Sequence, residues 1–336
     1  MTCQPQLLIN LPPTFFTHPQ LASQWTRLER LATIRCTSHD TLEQIMSDLV
    51  WADAVIMWSW PKFGAAELER APNLRFVGQI NTSRVTAAAC LERGIAHSEA
   101  RHCWSPAVAE LALALILSGL RKLSDYHTAM RNGTESWVER MPGDVDPLER
   151  ELSGQPVGVI GFGQIGQRLA QLLAPFQTQL RIYDPFLPAA VAEQYRAQHV
   201  SLRDVISQSN VVVLCAANTT EARHLIDRDM INALRPHAVL VNVGRLMLID
   251  MPALIKRLER GDLIAMLDVF DCEPLEPDSP LRRLPNAYLT PHRAGGLISS
   301  VERGVTMLID DFEAFVEGRK RRYAVTAAML NSFSDA

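Results

Sequence analysis

Three stretches in the second half of the chain each place one chemically versatile side chain just after an apolar run. Arg245 follows Ala238–Val243, Glu273 follows Leu263–Leu267, and His292 follows Ala287–Thr290. The runs read as buried strands of a parallel sheet, and such sheets bind ligands beyond the carboxyl ends of their strands. Arginine offers a planar, two-pronged clamp to a carboxylate or carbonyl. Histidine can supply the proton that a carbonyl oxygen gains as hydride arrives. A glutamate beside that histidine stabilises the imidazolium. Together the three side chains suit the reduction of a 2-oxo acid. Each also has a plainer reading: a loop histidine with satisfied partners, a solvent-facing acid before a proline, and an arginine in a surface ion pair.

A fourth segment points to the source of hydride. Val157–Gly166 reads VGVIGFGQIG, an apolar run feeding directly into G-x-G-x-x-G. Gln167–Leu173 then reads as a helix. Leu180–Asp184 reads as a second strand ending in an acid, 18 residues past Gly166. This is a dinucleotide fingerprint in its strand–turn–helix–strand setting. Gly161 permits the tight turn, Gly163 the approach of a pyrophosphate, and Gly166 close packing of helix on strand. The helix N-terminus offers unpaired N–H groups to the phosphates. Asp184 accepts hydrogen bonds from a ribose diol and repels a 2′-phosphate, which favours NAD over NADP. Arg181, earlier on the same strand, is expected to point to its other face. Cys215, at another strand end, reads as a small buried residue rather than a redox group.

These segments need elements to position them. The chain has 336 residues, 47 % hydrophobic and 21 % charged, which is ample for two domains. Before residue 100, candidate strands at 7–10, 32–36, 54–58, 74–78 and 94–97 alternate with helical patterns at 19–31, 41–50, 64–70 and 85–93. Ser105-Pro106 opens a long apolar helix. The polar segment 125–153, with a lone Trp137, reads as a long connection or arm. A last helix over 299–317 ends at Gly318, where a C-cap glycine belongs. The expected architecture is α/β, with two doubly wound parallel-sheet domains. A Rossmann NAD-binding domain, 104–296, is inserted into a smaller flavodoxin-like substrate domain made of 1–103 and 297–336.

Composition excludes other classes. Net charge is −4, and the one basic block, Arg319–Arg322, follows a predicted helix. It reads as a solvated helix end, so no nucleic-acid partner is expected. The six cysteines form neither C-x-x-C nor zinc-finger spacing, which suits a reduced compartment and predicts no metal site. The run Val108–Leu120 is interrupted by Glu110 and reads as too short to span a bilayer. With no signal peptide evident at Met1–Gln6, a cytoplasmic protein without membrane partners is expected.

At VGVIGFGQIG, the Asn242–Asp250 segment, LDVFDCEPL (Leu267–Leu275) and TPHRAGG (Thr290–Gly296), the chain resembles the D-isomer-specific 2-hydroxyacid dehydrogenase family. The helix segment from Val108 to Arg121 is also similar. The resemblance covers most of the chain. It implies Arg245 as the substrate-binding and polarising arginine, His292 as acid/base and Glu273 as its partner. It implies Asp268 against the nicotinamide carboxamide and a homodimer built around the helix after Ser105. The implied cofactor-binding set is Gly161, Gly163, Gln164, Ile165, Gly166, Asp184, Cys215, Ala216, Ala217, Val243, Gly244, Asp268, His292 and Gly295. The implied partner is a small 2-oxo or 2-hydroxy acid, and the implied reaction is reversible hydride transfer between nicotinamide C4 and its C2. Two rivals share the frame: a formate- or phosphite-type dehydrogenase, and a non-catalytic NAD sensor similar to corepressors. Glu273 disfavours formate, since formate enzymes of this superfamily lack that acid. A protein that binds NAD but has lost turnover is a third.

Departures from the family gather where substrate is expected. Its substrate loop is usually glycine-rich, with backbone N–H groups holding the carboxylate. Here that stretch, Gln79–Arg84, has no glycine and is about two residues short. The substrate contacts expected are Trp58, Asn81, Thr82, Ser83 and Trp104. Trp58, Trp60 and Trp104 would either form an apolar pocket wall or pack an interface. Leu246 stands where a glycine usually follows the arginine.

Overall fold

Parallel strands that are apolar on both faces must be covered by helices on both sides, and both halves of the chain follow that rule. In the computed structural model, residues 4–137, 145–216 and 222–333 are described. The chain divides into two units, Met1–Trp104 with Leu297–Ala336, and Ser105–Gly296. Trp104 therefore falls in the first unit, one residue from the expected boundary.

The first unit holds five parallel strands: β1 (Gln6–Asn10), β2 (Thr33–Thr37), β3 (Ala54–Met57), β4 (Phe76–Gln79) and β5 (Ala96–Glu99). Their order is β2-β1-β3-β4-β5, the flavodoxin-like arrangement, and it reverses between β1 and β3. Alternate residues serve opposite faces. Leu7, Ile9, Ile56 and Phe76 pack with Val305, Leu308, Ile309 and Phe312 of the helix Ile298–Val316. Leu8, Val55, Met57 and Val77 pack with Ile45, Leu49, Leu68 and Cys90 on the other face. The returning C-terminal helix thus completes this unit's core. β4 and β5 each begin two residues later than the apolar pattern suggests, because Leu74 donates its N–H to Ala71 in a turn and Ile95 donates to Cys90.

The second unit holds seven parallel strands: β6 (Pro156–Ile160), β7 (Gln179–Tyr183), β8 (Gln198–His199), β9 (Val211–Leu214), β10 (Ala238–Asn242), β11 (Leu263–Leu267) and β12 (Ala287–Leu289). The order β8-β7-β6-β9-β10-β11-β12 is that of a Rossmann sheet extended by one strand, with its reversal between β6 and β9. The helix Ser105–Arg121 lies against the helix Gln164–Leu173, β10 and β11. A Cβ on Gly119 would come within 2.7 Å of Val239 Cγ1, so glycine lets this helix settle onto the sheet. The helical stretch Arg101–Arg121, at 21 residues, is longer than the apolar run suggests. By length and composition it could cross a membrane, but 56 % of its most apolar window is buried in the protein.

Segment 125–153 is not all irregular. A helix runs over Leu123–Asn132, buries no residue, and ends at Gly133 with φ 65°. Leu123, Tyr126 and Met130 recur at helical spacing along it and stay exposed, in a segment that is polar overall. Trp137, beyond it, is exposed.

Candidate active site

The loops after β10, β11 and β12 leave the sheet at one edge and at matched levels, since Asn242 pairs with Leu267 and Leu267 with Leu289. After β10, the wholly buried Asn242 closes the turn. Its Nδ2 donates to Arg245 O at 3.1 Å, and its Oδ1 accepts from Gly244 N at 3.0 Å. That clamp fixes the exposed Arg245, whose Nη1 donates to Gly244 O at 2.8 Å.

After β11, Glu273 accepts from Phe270 N through Oε1 at 2.9 Å. Its Oε2 lies 2.6 Å from His292 Nδ1. Partial burial opposes the charge on Glu273. The hydrogen bonds from His292 and the Phe270 N–H, and the positive charges of His292 and Arg245, outweigh it and hold the carboxyl below its usual range. The charge of Arg245 is thus felt at Glu273, which puts the three side chains in one electrostatic neighbourhood. With Nδ1 engaged, Nε2 is the nitrogen of His292 that remains for a ligand.

After β12, His292 adopts φ 50°, a left-handed conformation that side chains other than glycine rarely adopt. What holds it there is Asp268, fully buried at the end of β11. Its carbonyl accepts from His292 N at 2.9 Å. Its carboxylate accepts from the Thr290 hydroxyl, from Arg293 N at 2.9 Å and from Ala294 N at 2.9 Å. Strained backbone of this kind is found where surrounding structure over-determines it, often at functional sites.

The glycine loop follows β6 at the reversal of strand order. Gly161 has φ 84°, and a Cβ there would overlap Ala216, just after β9. A Cβ on Gly166 would lie 2.5 Å from Gly161 O, so the helix can approach the loop only without one. Gly163 is the N-cap of Gln164–Leu173 and makes no side-chain cap, and a Cβ there would meet nothing within 4 Å. An uncapped N-terminus beside open space suits a pyrophosphate. Asp184, after β7, accepts from Phe162 N at 2.8 Å and Phe186 N at 2.9 Å, one N–H on each oxygen. Each oxygen keeps lone pairs for a ribose diol. These features fit a dinucleotide.

The remaining expected cofactor positions line the same strand ends. Gln164 and Ile165 open the helix, Cys215 and Ala216 follow β9, Val243 and Gly244 follow β10, and Gly295 follows His292. Ala217 lies outside the described residues. Burial pushes the Cys215 thiol up to about 12, which leaves it neutral and unreactive. In the first unit, Trp58 follows β3, Asn81, Thr82 and Ser83 follow β4, and Trp104 follows β5.

A family model described as "D-isomer specific 2-hydroxyacid dehydrogenase, NAD binding domain" matches residues 113–294. The chain belongs to this family. It is an oxidoreductase in which the second unit carries the NAD-binding domain. The chain is 31 % identical to a glyoxylate/hydroxypyruvate reductase A of Arabidopsis thaliana, over 74 % of this chain and 77 % of the relative. It is 28 % identical to a D-3-phosphoglycerate dehydrogenase of Methanocaldococcus jannaschii over 87 % of this chain, and spans only 55 % of that relative's length. A 2-hydroxyacid dehydrogenase structure from Ketogulonicigenium vulgare superposes with a TM-score of 0.77 at 28 % identity, covering 97 % of this chain and 99 % of that one.

Two residues of the candidate site are not evident from the motifs: Asn242, whose side chain clamps the Arg245 turn, and Asp268, whose carboxylate anchors the His292 turn. Both are polar residues at strand ends, and a buried polar residue there is the signal that marks them.

Proposed function

We propose that this dehydrogenase interconverts 2-oxo acids and D-2-hydroxy acids, with NADH and NAD as the redox pair. The observation that carries the reading is the contact between His292 Nδ1 and Glu273 Oε2, 2.6 Å, beside Arg245 at the carboxyl edge of the NAD-binding sheet. When bound, NADH supplies the hydride that C2 accepts. Arg245 clamps and polarises the 2-oxo carboxylate end through its planar fork. His292, protonated, gives its Nε2 proton to the carbonyl oxygen as C2 is reduced, and takes it back in the reverse direction. Glu273 stabilises the imidazolium before transfer and fixes the ring. Asp268 holds the turn that aims His292. Trp58, Asn81, Thr82, Ser83 and Trp104 are the contacts proposed for substrate.

Asp184 makes NADH the preferred cofactor over NADPH, because a carboxylate opposes a 2′-phosphate. The test is kcat/KM for 2-oxo-acid reduction with each cofactor. We expect a clear NADH preference that narrows in Asp184→Ala. Equal efficiency in the unaltered protein contradicts the assignment.

We further propose a cytoplasmic homodimer. Family resemblance supports it, and so do the exposed apolar side chains Leu123, Met130, Trp137 and Val145 on the arm of the second unit, more apolar surface than a solvated arm needs.

A further inference from the structure

The first unit has a feature that hydride transfer alone does not require. Trp58 and Trp60 stack with ring centroids 5.6 Å apart and planes within 5°. Trp104 stacks on Trp58 at 6.0 Å and 8°. Phe15 meets Trp58 edge-on at 6.1 Å and 80°. The result is an ordered ladder of three indoles with Trp58 in the middle. Its members come from different strand ends: Trp58 and Trp60 follow β3, and Trp104 follows β5. Phe15 follows β1, so the ladder sits where the strand order reverses, the usual ligand position in an open α/β sheet.

The ladder is held in place. Trp58 O accepts from the buried Gln79 at 3.3 Å, and Trp104 Nε1 donates to Asn81 Oδ1 at 2.8 Å. Packing alone does not account for it, because Trp60 at one end is 46 % exposed. A preordered indole left in water at a ligand-binding edge loses little entropy when an apolar group covers it.

The adjoining loop supplies the complementary polar end. None of Gln79–Arg84 has positive φ, so the loop takes a path that needs no glycine. Ser83 is the N-cap of the helix Arg84–Glu92, yet its side chain makes no cap. It is 3 % exposed, and its hydroxyl and that of Thr82 are buried with no protein partner. Such hydroxyls are costly unless a ligand takes them up. With Asn81 Oδ1 occupied by Trp104, its Nδ2 is the end left to donate. Asn81, Thr82 and Ser83 thus offer consecutive donors, tied to the aromatic ladder by one hydrogen bond.

We infer that the Trp58–Trp60–Trp104 ladder selects 2-oxo acids with an aromatic or long branched apolar side chain over glyoxylate and pyruvate. The inference rests on the reaction proposed above. The test is kcat/KM with NADH for phenylpyruvate, 4-methyl-2-oxopentanoate, pyruvate and glyoxylate, on the intact protein and on Trp60→Ala and Trp60→Phe. Trp60 is half-exposed, so its replacement leaves the core intact, which a thermal melt checks. We expect phenylpyruvate and 4-methyl-2-oxopentanoate to exceed pyruvate by about tenfold or more, the order one methylene commands in an apolar pocket. Trp60→Ala should cut the phenylpyruvate-to-pyruvate ratio by a similar factor, chiefly through KM, and Trp60→Phe should restore most of it. Preference for glyoxylate or pyruvate, or a ratio unmoved in Trp60→Ala, overturns the ladder's role and leaves the reaction standing. No turnover of any of the four overturns the reaction, and the ladder's role with it.

Discussion

Glu273 and His292 act as a pair, and their charges are linked. The carboxyl of Glu273 is held below its usual range by its hydrogen bonds and by two positive neighbours, which outweigh its partial burial. Its share of the pairing is therefore complete above the ordinary carboxylate value and fades only as pH falls through the lowered folded value. Glu273→Gln removes a negative charge beside the imidazolium, so the alkaline limb of the pH–rate profile for reduction should move to lower pH. His292→Ala should lower kcat by about 10²–10⁴ while NADH still binds, measured by fluorescence titration. An unmoved limb, or near-normal turnover without the histidine, would reassign the acid. Residue types and motif spacing made this pair legible in the sequence. The hydrogen bonds of Asn242 and Asp268 were not, because they depend on which way each turn's N–H groups point.

At the scale of elements, the site is a set of turns after parallel strands, each fixed by one buried polar side chain. Asp268 carries the largest share, accepting two backbone N–H groups and the Thr290 hydroxyl. Asp268→Asn turns one accepting oxygen into a donor and leaves a buried N–H without a partner. Stability should fall by about 1–3 kcal/mol, read from urea unfolding without cofactor. An unchanged midpoint would mean that the turn does not depend on this carboxylate. The long strands and the glycine loop were readable because a buried parallel strand is apolar throughout. The starts of β4 and β5 were not, because Leu74 and Ile95 are buried or half-buried in turns and look like strand in composition. The helix Leu123–Asn132 does carry an apolar period, Leu123, Tyr126 and Met130, but it is short and lies in a polar segment, so the composition reads as an arm.

At the scale of the molecule, two doubly wound sheets divide the proposed work. One carries the dinucleotide fingerprint and the Arg245–Glu273–His292 set, and the other carries the aromatic ladder and its hydroxyl-bearing loop. The alternation of strands and helices before residue 100 and the fingerprint after residue 157 are the sequence features behind that expected division. The apolar arm bears on assembly: sedimentation should give twice the chain mass, and Trp137→Glu with Met130→Glu should shift it toward one chain. A monomer in the unaltered protein would remove the dimer from the account.

The central claim is hydride transfer to C2 with a proton delivered to oxygen. It is tested most directly with NADH carrying deuterium at both C4 positions of the nicotinamide and a 2-oxo acid that the protein turns over. The account predicts a D-2-hydroxy acid carrying deuterium at C2. A product without deuterium at C2, or one of the opposite configuration, would contradict it.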